Sequence, residues 1–241
     1  MNRITFAVFF AWNLLVNIGF AGELSDEYRQ SYVIFINGER SGKEIVTENI
    51  AGNGDRLAQT ENELYITDGL ETNRMAYETR IILNGKTLQP KSYIYRYVSG
   101  SSRDHYEVTI QDDKITRTLT RGGETNVATE ELKQDFVILD VNVYHQYDYL
   151  IKKYDEKKGG RQLFSDFIPV VGNYIPIALT YIGESKINYP KGTIEAKEYQ
   201  IEFVNLRNGT VMTDTNGRLL RLVMPGQDLE VVREDLLPAN R

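Results

Sequence analysis

His105 and His145 are the only imidazoles in the 241 residues, and there is no cysteine. Acid–base or metal chemistry near neutral pH therefore has two starting points. Around His145, Tyr149 lies one helical turn further on and Asp148 is also within reach. That constellation could bind a metal or shuttle a proton; the competing reading is a solvated helix face. His105 stands beside Asp104 at a strand start and reads as structural or solvated. A Ser-His-Asp enzyme would need one of these histidines and a nucleophile on a sharp elbow. No Gly-x-Ser-x-Gly occurs, and Gly100-Ser101-Ser102 reads as a turn. Asp214-Thr215-Asn216-Gly217 starts like a calcium loop but lacks the further ligands and the distal Glu, so a hairpin turn fits it better. Asn208-Gly209-Thr210 has the form of a glycosylation sequon but coincides with an expected tight turn. There is no phosphate-binding Gly loop and no zinc spacing. The expectation is a protein with no catalytic residues, no metal and no cofactor.

Without cysteine there are no disulfides, no thiol catalysis and no lipidated N-terminal Cys. Residues 1–21 read as a secretory signal peptide. Arg3 gives the positive start, Ile4 to Phe20 the apolar run, and Gly19-Phe20-Ala21 the small residues at positions −3 and −1. The competing reading is an uncleaved anchor, for which the run is short. Removal of the first 22 residues leaves 27 basic and 34 acidic side chains, a charge of −7. That charge argues against nucleic acid and against anionic lipid headgroups bound by charge alone. The expectation is a periplasmic or secreted protein with one domain over 22–241 and no permanent membrane span after cleavage.

These residues must be positioned by a chain that reads almost wholly as strand. Asn-Gly, a dipeptide suited to type I′ turns, recurs at Asn37-Gly38, Asn53-Gly54, Asn84-Gly85, Asn208-Gly209 and Asn216-Gly217. Strands such as Tyr32–Ile36, Tyr93–Tyr97, Tyr106–Ile110 and Ile115–Thr120 flank turns with a period of two. Phe164 to Ile182 is apolar but broken by Pro169 and Pro176, which predicts a loop or edge strand and then a strand over Ile177–Tyr181. The exception is Asp140 to Tyr154. At 100° per residue, Val143, Tyr144, Tyr147, Leu150, Ile151 and Tyr154 share one stripe, and His145, Gln146, Tyr149, Lys152 and Lys153 the other. Asp140 is the expected N-cap, Gly159-Gly160 the stop, and the helix is predicted over about 140–156. The expected fold is mainly β: a single curved antiparallel sheet, a half-barrel or open barrel, wrapped against one amphipathic helix.

Such a sheet has a concave apolar face. Tyrosine is abundant, with 16 residues against 9 Phe and 1 Trp, and its ring packs while its hydroxyl finds a partner. Tyr95, Tyr97, Tyr144, Tyr147, Ile151, Phe167, Tyr174 and Tyr181 are the candidate ligand-binding residues, lining a cavity between sheet and helix. The alternative is that they fill the core. Phe164 to Tyr174 is the candidate lid or partner surface. The functional expectation is an exported envelope protein holding an apolar ligand, a lipid or acyl chain. The other reading is a non-catalytic structural or interaction domain with an envelope protein as partner.

Three stretches resemble a family. Tyr32-Val33-Ile34-Phe35-Ile36-Asn37-Gly38-Glu39-Arg40-Ser41-Gly42-Lys43-Glu44 is similar to the first hairpin of a family of secreted bacterial domains of unknown function, where strand, Gly, three variable residues, Gly and strand recur. Ile138-Leu139-Asp140-Val141 resembles the entry to their Tyr-rich central helix. Gly217-Arg218-Leu219-Leu220-Arg221-Leu222, with Pro225 and Asp228 to Arg233, resembles their closing hairpin. The resemblance implies a curved half-barrel like that of the periplasmic lipoprotein carriers, with a helix against the concave face. It transfers no functional residue.

Overall fold

Eight strands follow one another in chain order in a computed structural model that describes residues 25–68, 71–204 and 206–238. They are β1 (Ser25–Ile36), β2 (Glu39–Ile50), β3 (Arg56–Asp68), β4 (Glu71–Leu83), β5 (Pro90–Ser99), β6 (Ser102–Gln111), β7 (Lys114–Arg121) and β8 (Glu124–Glu131). A long connection holding α1 (Tyr147–Lys152), the one α-helix among the described residues, leads to six more strands. These are β9 (Arg161–Ile168), β10 (Asn173–Tyr189), β11 (Gly192–Phe203), β12 (Arg207–Thr213), β13 (Leu219–Met224) and β14 (Leu229–Arg233). The segment read as a signal peptide lies outside the described residues.

All 14 strands belong to one antiparallel sheet, ordered β8-β7-β6-β5-β4-β3-β2-β1-β14-β13-β12-β11-β10-β9. The two meanders are joined by β1 and β14, with Tyr32 opposite Arg233 and Ile34 opposite Val231. The edge strands are β8 and β9, so the sheet curves without closing into a barrel. The expected mainly-β, open-barrel architecture is present.

Turn chemistry explains most of the wiring. Asn37 and Gly38 take φ of 53° and 77°, the paired positive values of a type I′ hairpin. Asp112 and Asp113 do the same at 50° and 58°. Asn208-Gly209 does not: it lies inside β12, so the turn expected there is corrected. Gly209 is small for another reason, because a Cβ would run into Met224 Sδ and the Val223 carbonyl of β13. Gly209→Ala is expected to cost about 1–3 kcal/mol through overpacking, read as a lower denaturant midpoint at unchanged slope. The strand expected over Ile177–Tyr181 is also longer than predicted. β10 runs on to Tyr189, with Pro176 exposed and opposite Ser165.

Alternation sorts side chains into two cores. Tyr32 and Ile34 face the concave side and join the main core, while Val33 and Phe35 face the convex side. The distal half of the β10–β11 hairpin covers that convex patch. Ile187, Tyr189, Ile194 and Ala196 pack on Val33, Phe35, Leu220 and Val232, with Leu236 and Leu237 beside them.

The connection from β8 to β9 runs through the concave space. Phe136 to Leu139 are buried, and Val137 bridges β9 in parallel at Asp166, exchanging backbone hydrogen bonds with Ser165 and Phe167 at 2.9 Å each. The helix that follows is shorter than the predicted 140–156. Only residues 147–152 are α-helical, and the N-cap is Gln146 rather than Asp140. Turns at 141–142 and 145–146 precede it, with Asn142 at φ 63°. The stripe reading is corrected as well. His145, Gln146 and Tyr149, assigned to a solvated face, are buried together with Tyr147, Leu150 and Ile151. A helix enclosed by a sheet on several sides has no water-facing side to keep polar.

Candidate functional site

The polar side chains of this enclosed helix find partners on strands far away in sequence. Glu44 and Glu48 sit two positions either side of Val46 on the inward face of β2. Glu44 Oε2 accepts the Tyr144 amide at 2.7 Å, and Oε1 accepts the His145 amide at 2.8 Å. His145 Nδ1 lies 3.1 Å from the same Oε1, so Nδ1 carries the proton that faces the carboxylate. Glu44 thus caps the segment just ahead of the helix, where amides lack helical partners. Asn62 on β3 donates to the Asn142 carbonyl and, at 3.4 Å, to Glu44 Oε2.

One turn along, Glu48 accepts the Tyr149 hydroxyl at 3.0 Å, Arg56 at 2.9 Å and Arg218 at 2.6 and 3.2 Å. Arg218 precedes β13 and also reaches Asp148 Oδ2 at 3.2 Å. Its guanidinium sits 4.0 Å above the Tyr28 ring. The Leu219 amide completes Asp148 at 2.7 Å. Burial alone would raise the Glu48 carboxyl. The hydrogen bonds and charge of Arg218, with Lys152 and Tyr149, outweigh it and hold that group at about 2. Asp148 goes the other way, pushed up by burial against the pull of Lys152 and Arg218.

A second anchor holds the start of the connection. Asp140 accepts the Tyr93 hydroxyl at 2.9 Å, the Tyr106 hydroxyl, and the Val141 amide at 2.8 Å. Its own amide donates to Gln146 Oε1 at 2.7 Å. Burial raises the Asp140 carboxyl, and the two tyrosines draw it back. Asp166, which accepts the Leu139 amide at 2.8 Å, is raised by burial too. Tyr93→Phe is expected to cost about 1–3 kcal/mol, since it removes a donor from a buried carboxyl. The measurement is equilibrium unfolding, and a change under 0.5 kcal/mol, the scale of ordinary surface substitutions, would contradict it.

The eight candidate ligand-binding residues fall into separate groups around the connection. Tyr95 stacks on Tyr106 at 4.5 Å and 13°, and with Tyr97 it flanks Tyr77, at 5.8 and 5.2 Å. Tyr144 joins this group through Asn142, which bonds both its hydroxyl and that of Tyr77. Phe167 and Tyr174 meet Phe136 at the unclosed seam, with ring separations of 5.1, 5.2 and 6.0 Å. Tyr181 packs on Tyr199, which in turn meets Tyr154. Tyr147 and Ile151 lie on the helix itself. Five of the eight are buried, whereas Tyr97, Tyr174 and Tyr181 are half-exposed. Two surface depressions, of about 160 and 420 Å³, involve none of the eight.

His145 is 2% exposed and held by Glu44. His105 pairs with Glu107 at 2.9 Å on β6. Among the described residues no group of three or more His, Asp or Glu is arranged to hold a metal, and no helix is long and apolar enough to cross a membrane. Glu44, Glu48, Asp140, Asp148 and Arg218 were not recognised as a set from sequence. The one local signal is Glu-x-Val-x-Glu, two acids on the same strand face as an apolar residue.

This architecture is similar to the crystal structure of a β-barrel-like protein of domain of unknown function DUF1849 from Brucella abortus. The match has a TM-score of 0.57 and 11% identity, over 90% of this chain and 98% of that one. A DUF1089 family protein from Pseudomonas aeruginosa aligns over 94% of this chain and 98% of its own at a TM-score of 0.43 and 13% identity. No family model and no curated protein matches the sequence. The likeness to the Brucella abortus protein is one of fold.

Proposed function

We propose that the chain is a non-catalytic, exported binding protein of the bacterial cell envelope, carrier-like in form. It holds an apolar ligand, a lipid or acyl chain, at the seam where the sheet stays open. The observation that carries this reading is the aromatic group Phe136, Phe167 and Tyr174 at that seam. Val170 and Phe164 are half-buried beside the same core. Aromatic faces with an exposed rim suit an apolar guest that enters from one side. Arg117 of β7 spans the gap to the β9–β10 turn, donating to the Pro169 carbonyl at 3.1 Å, and would have to move for deep entry.

The test is solvent extraction of protein purified from its native envelope, followed by mass spectrometry. A stoichiometric apolar molecule is expected, and Tyr174→Asp should reduce its recovery severalfold. A clean extract, repeated after incubation with total membrane lipid, would overturn the reading.

A second reading, a protein-interaction domain, is favoured by Leu163 at 64% and Val171 at 59% exposure on β9 and the turn after it. A clean extract together with crosslinks through Leu163 or Val171 to an envelope protein would select it.

A further inference from the structure

Arg117 places a guanidinium at the seam, on partners it can exchange. Its Nε reaches Glu130 of β8 at 3.2 Å and its Nη1 the Pro169 carbonyl at 3.1 Å. Both are long against the roughly 2.7–2.9 Å of well-made charge-assisted bonds. The Arg117 and Glu130 side chains are partly exposed, at 20% and 27%, so breaking the pair costs little. The guanidinium lies hard against the β9–β10 turn. Gly172, at φ 69°, presents bare backbone to it, and a Cβ there would run into the guanidinium. The arms of that turn carry the aromatic group. Phe167 stands two residues before Pro169 and Tyr174 two residues after Gly172, opposite each other in the ladder. Two residues of extended chain span about 7 Å. The charge therefore sits at one end of the apolar strip formed by Tyr174, Phe167 and Phe136.

We infer that the seam selects an amphiphile with a single carboxylate head, a long-chain fatty acid, and that Arg117 is the residue that chooses it; this rests on the seam reading given above. A cation beside an apolar strip fits a guest with one anionic and one apolar end. The head is a carboxylate because Arg117 already holds one. A guest carboxylate takes the place of Glu130, whose side chain turns out to solvent, and the exchange leaves no charge unpaired. The guanidinium fork grips a guest through two parallel N–H···O bonds, against the single hydrogen bond that Glu130 accepts from Nε. The displaced Glu130 stays close by and disfavours a head of higher charge.

The test is binding of a fluorescent fatty acid to the purified protein, competed by palmitate or by hexadecanol, its uncharged counterpart of equal chain length. Palmitate is expected to compete about tenfold better than hexadecanol, and Arg117→Gln to bring the two together. Glu130→Gln removes the carboxylate that occupies Arg117, so the preference for palmitate should widen severalfold. A purely structural ion pair would leave that ratio where it was. Equal competition by acid and alcohol, or a preference that survives in Arg117→Gln, overturns the carboxylate inference and leaves the seam reading standing. If the fatty acid does not bind and hexadecanol has nothing to displace, the seam reading falls and takes this inference with it.

Discussion

Arg218→Leu is expected to destabilise the protein by about 3–5 kcal/mol near neutral pH. The side chain neutralises two buried carboxylates on different elements, Glu48 of β2 and Asp148 of α1. Without it both remain buried with much of their compensation gone, and the ring of Tyr28 loses its cation. Lysine should not restore the loss, because one ammonium cannot reproduce the forked contacts to Glu48 and Asp148. The pH dependence supplies a sharper reading. Glu48 is depressed from its ordinary 4.5 to about 2 in the native protein. Its contribution is therefore fully present above the unfolded value and is lost as pH falls from 4.5 toward 2. Asp140, Asp148 and Asp166 are raised by burial. They favour the folded state at low pH, and that contribution is lost as pH rises through their folded values. In Arg218→Leu the depression of Glu48 loses its largest cause and shrinks, so acid should cost the variant less than the parent. The stability gap measured by urea unfolding should narrow from pH 7 to pH 4. A gap that stays constant would show that Arg218 acts through packing alone.

Leu150→Ala is expected to cost about 2–5 kcal/mol. Leu150 is fully buried at the centre of α1. Its neighbours are held by the polar anchors at Glu44, Glu48 and Asp140, so the helix cannot easily settle into the space left behind. A six-residue helix has almost no stability of its own. Its order comes from this packing and those anchors. The loss should appear in equilibrium unfolding and also as faster hydrogen exchange at residues 147–153. Global destabilisation without local exchange would contradict the view that Leu150 secures the helix.

The hairpins were legible because their causes are local. Asn37-Gly38, Asp112-Asp113 and the alternating flanks state turn and strand within a few residues. The helix was legible as an apolar centre but not as an enclosed one. The stripe argument assumes water on one side. It cannot see that Glu44, 101 residues from His145, supplies the missing polar partner. Asn208-Gly209 misled for a related reason: the dipeptide that permits a turn also permits the close approach of β13. Of the eight ligand-binding candidates, the sequence identified aromatic side chains around the helix. Their division into separate groups depends on register and on the path of residues 132–146, which no local pattern encodes. Glu44 and Glu48 were missed because each looks like an ordinary surface acid until β2 is curled inward.

The junction of β1 with β14 bears on how the chain reaches this state. Every other strand pair in the sheet joins sequence neighbours, so each meander can assemble from short-range hairpins. Tyr32 and Arg233 are ~200 residues apart, and the entropy of closing that loop falls on a single seam. The two meanders can therefore form early and separately, while their union waits for the β1–β14 junction. Substitutions in β6 or β7, whose contacts form before the junction, should mainly slow folding, whereas those at Val33, Val231 or Val232, whose contacts form as the junction closes, should divide their effect between slower folding and faster unfolding.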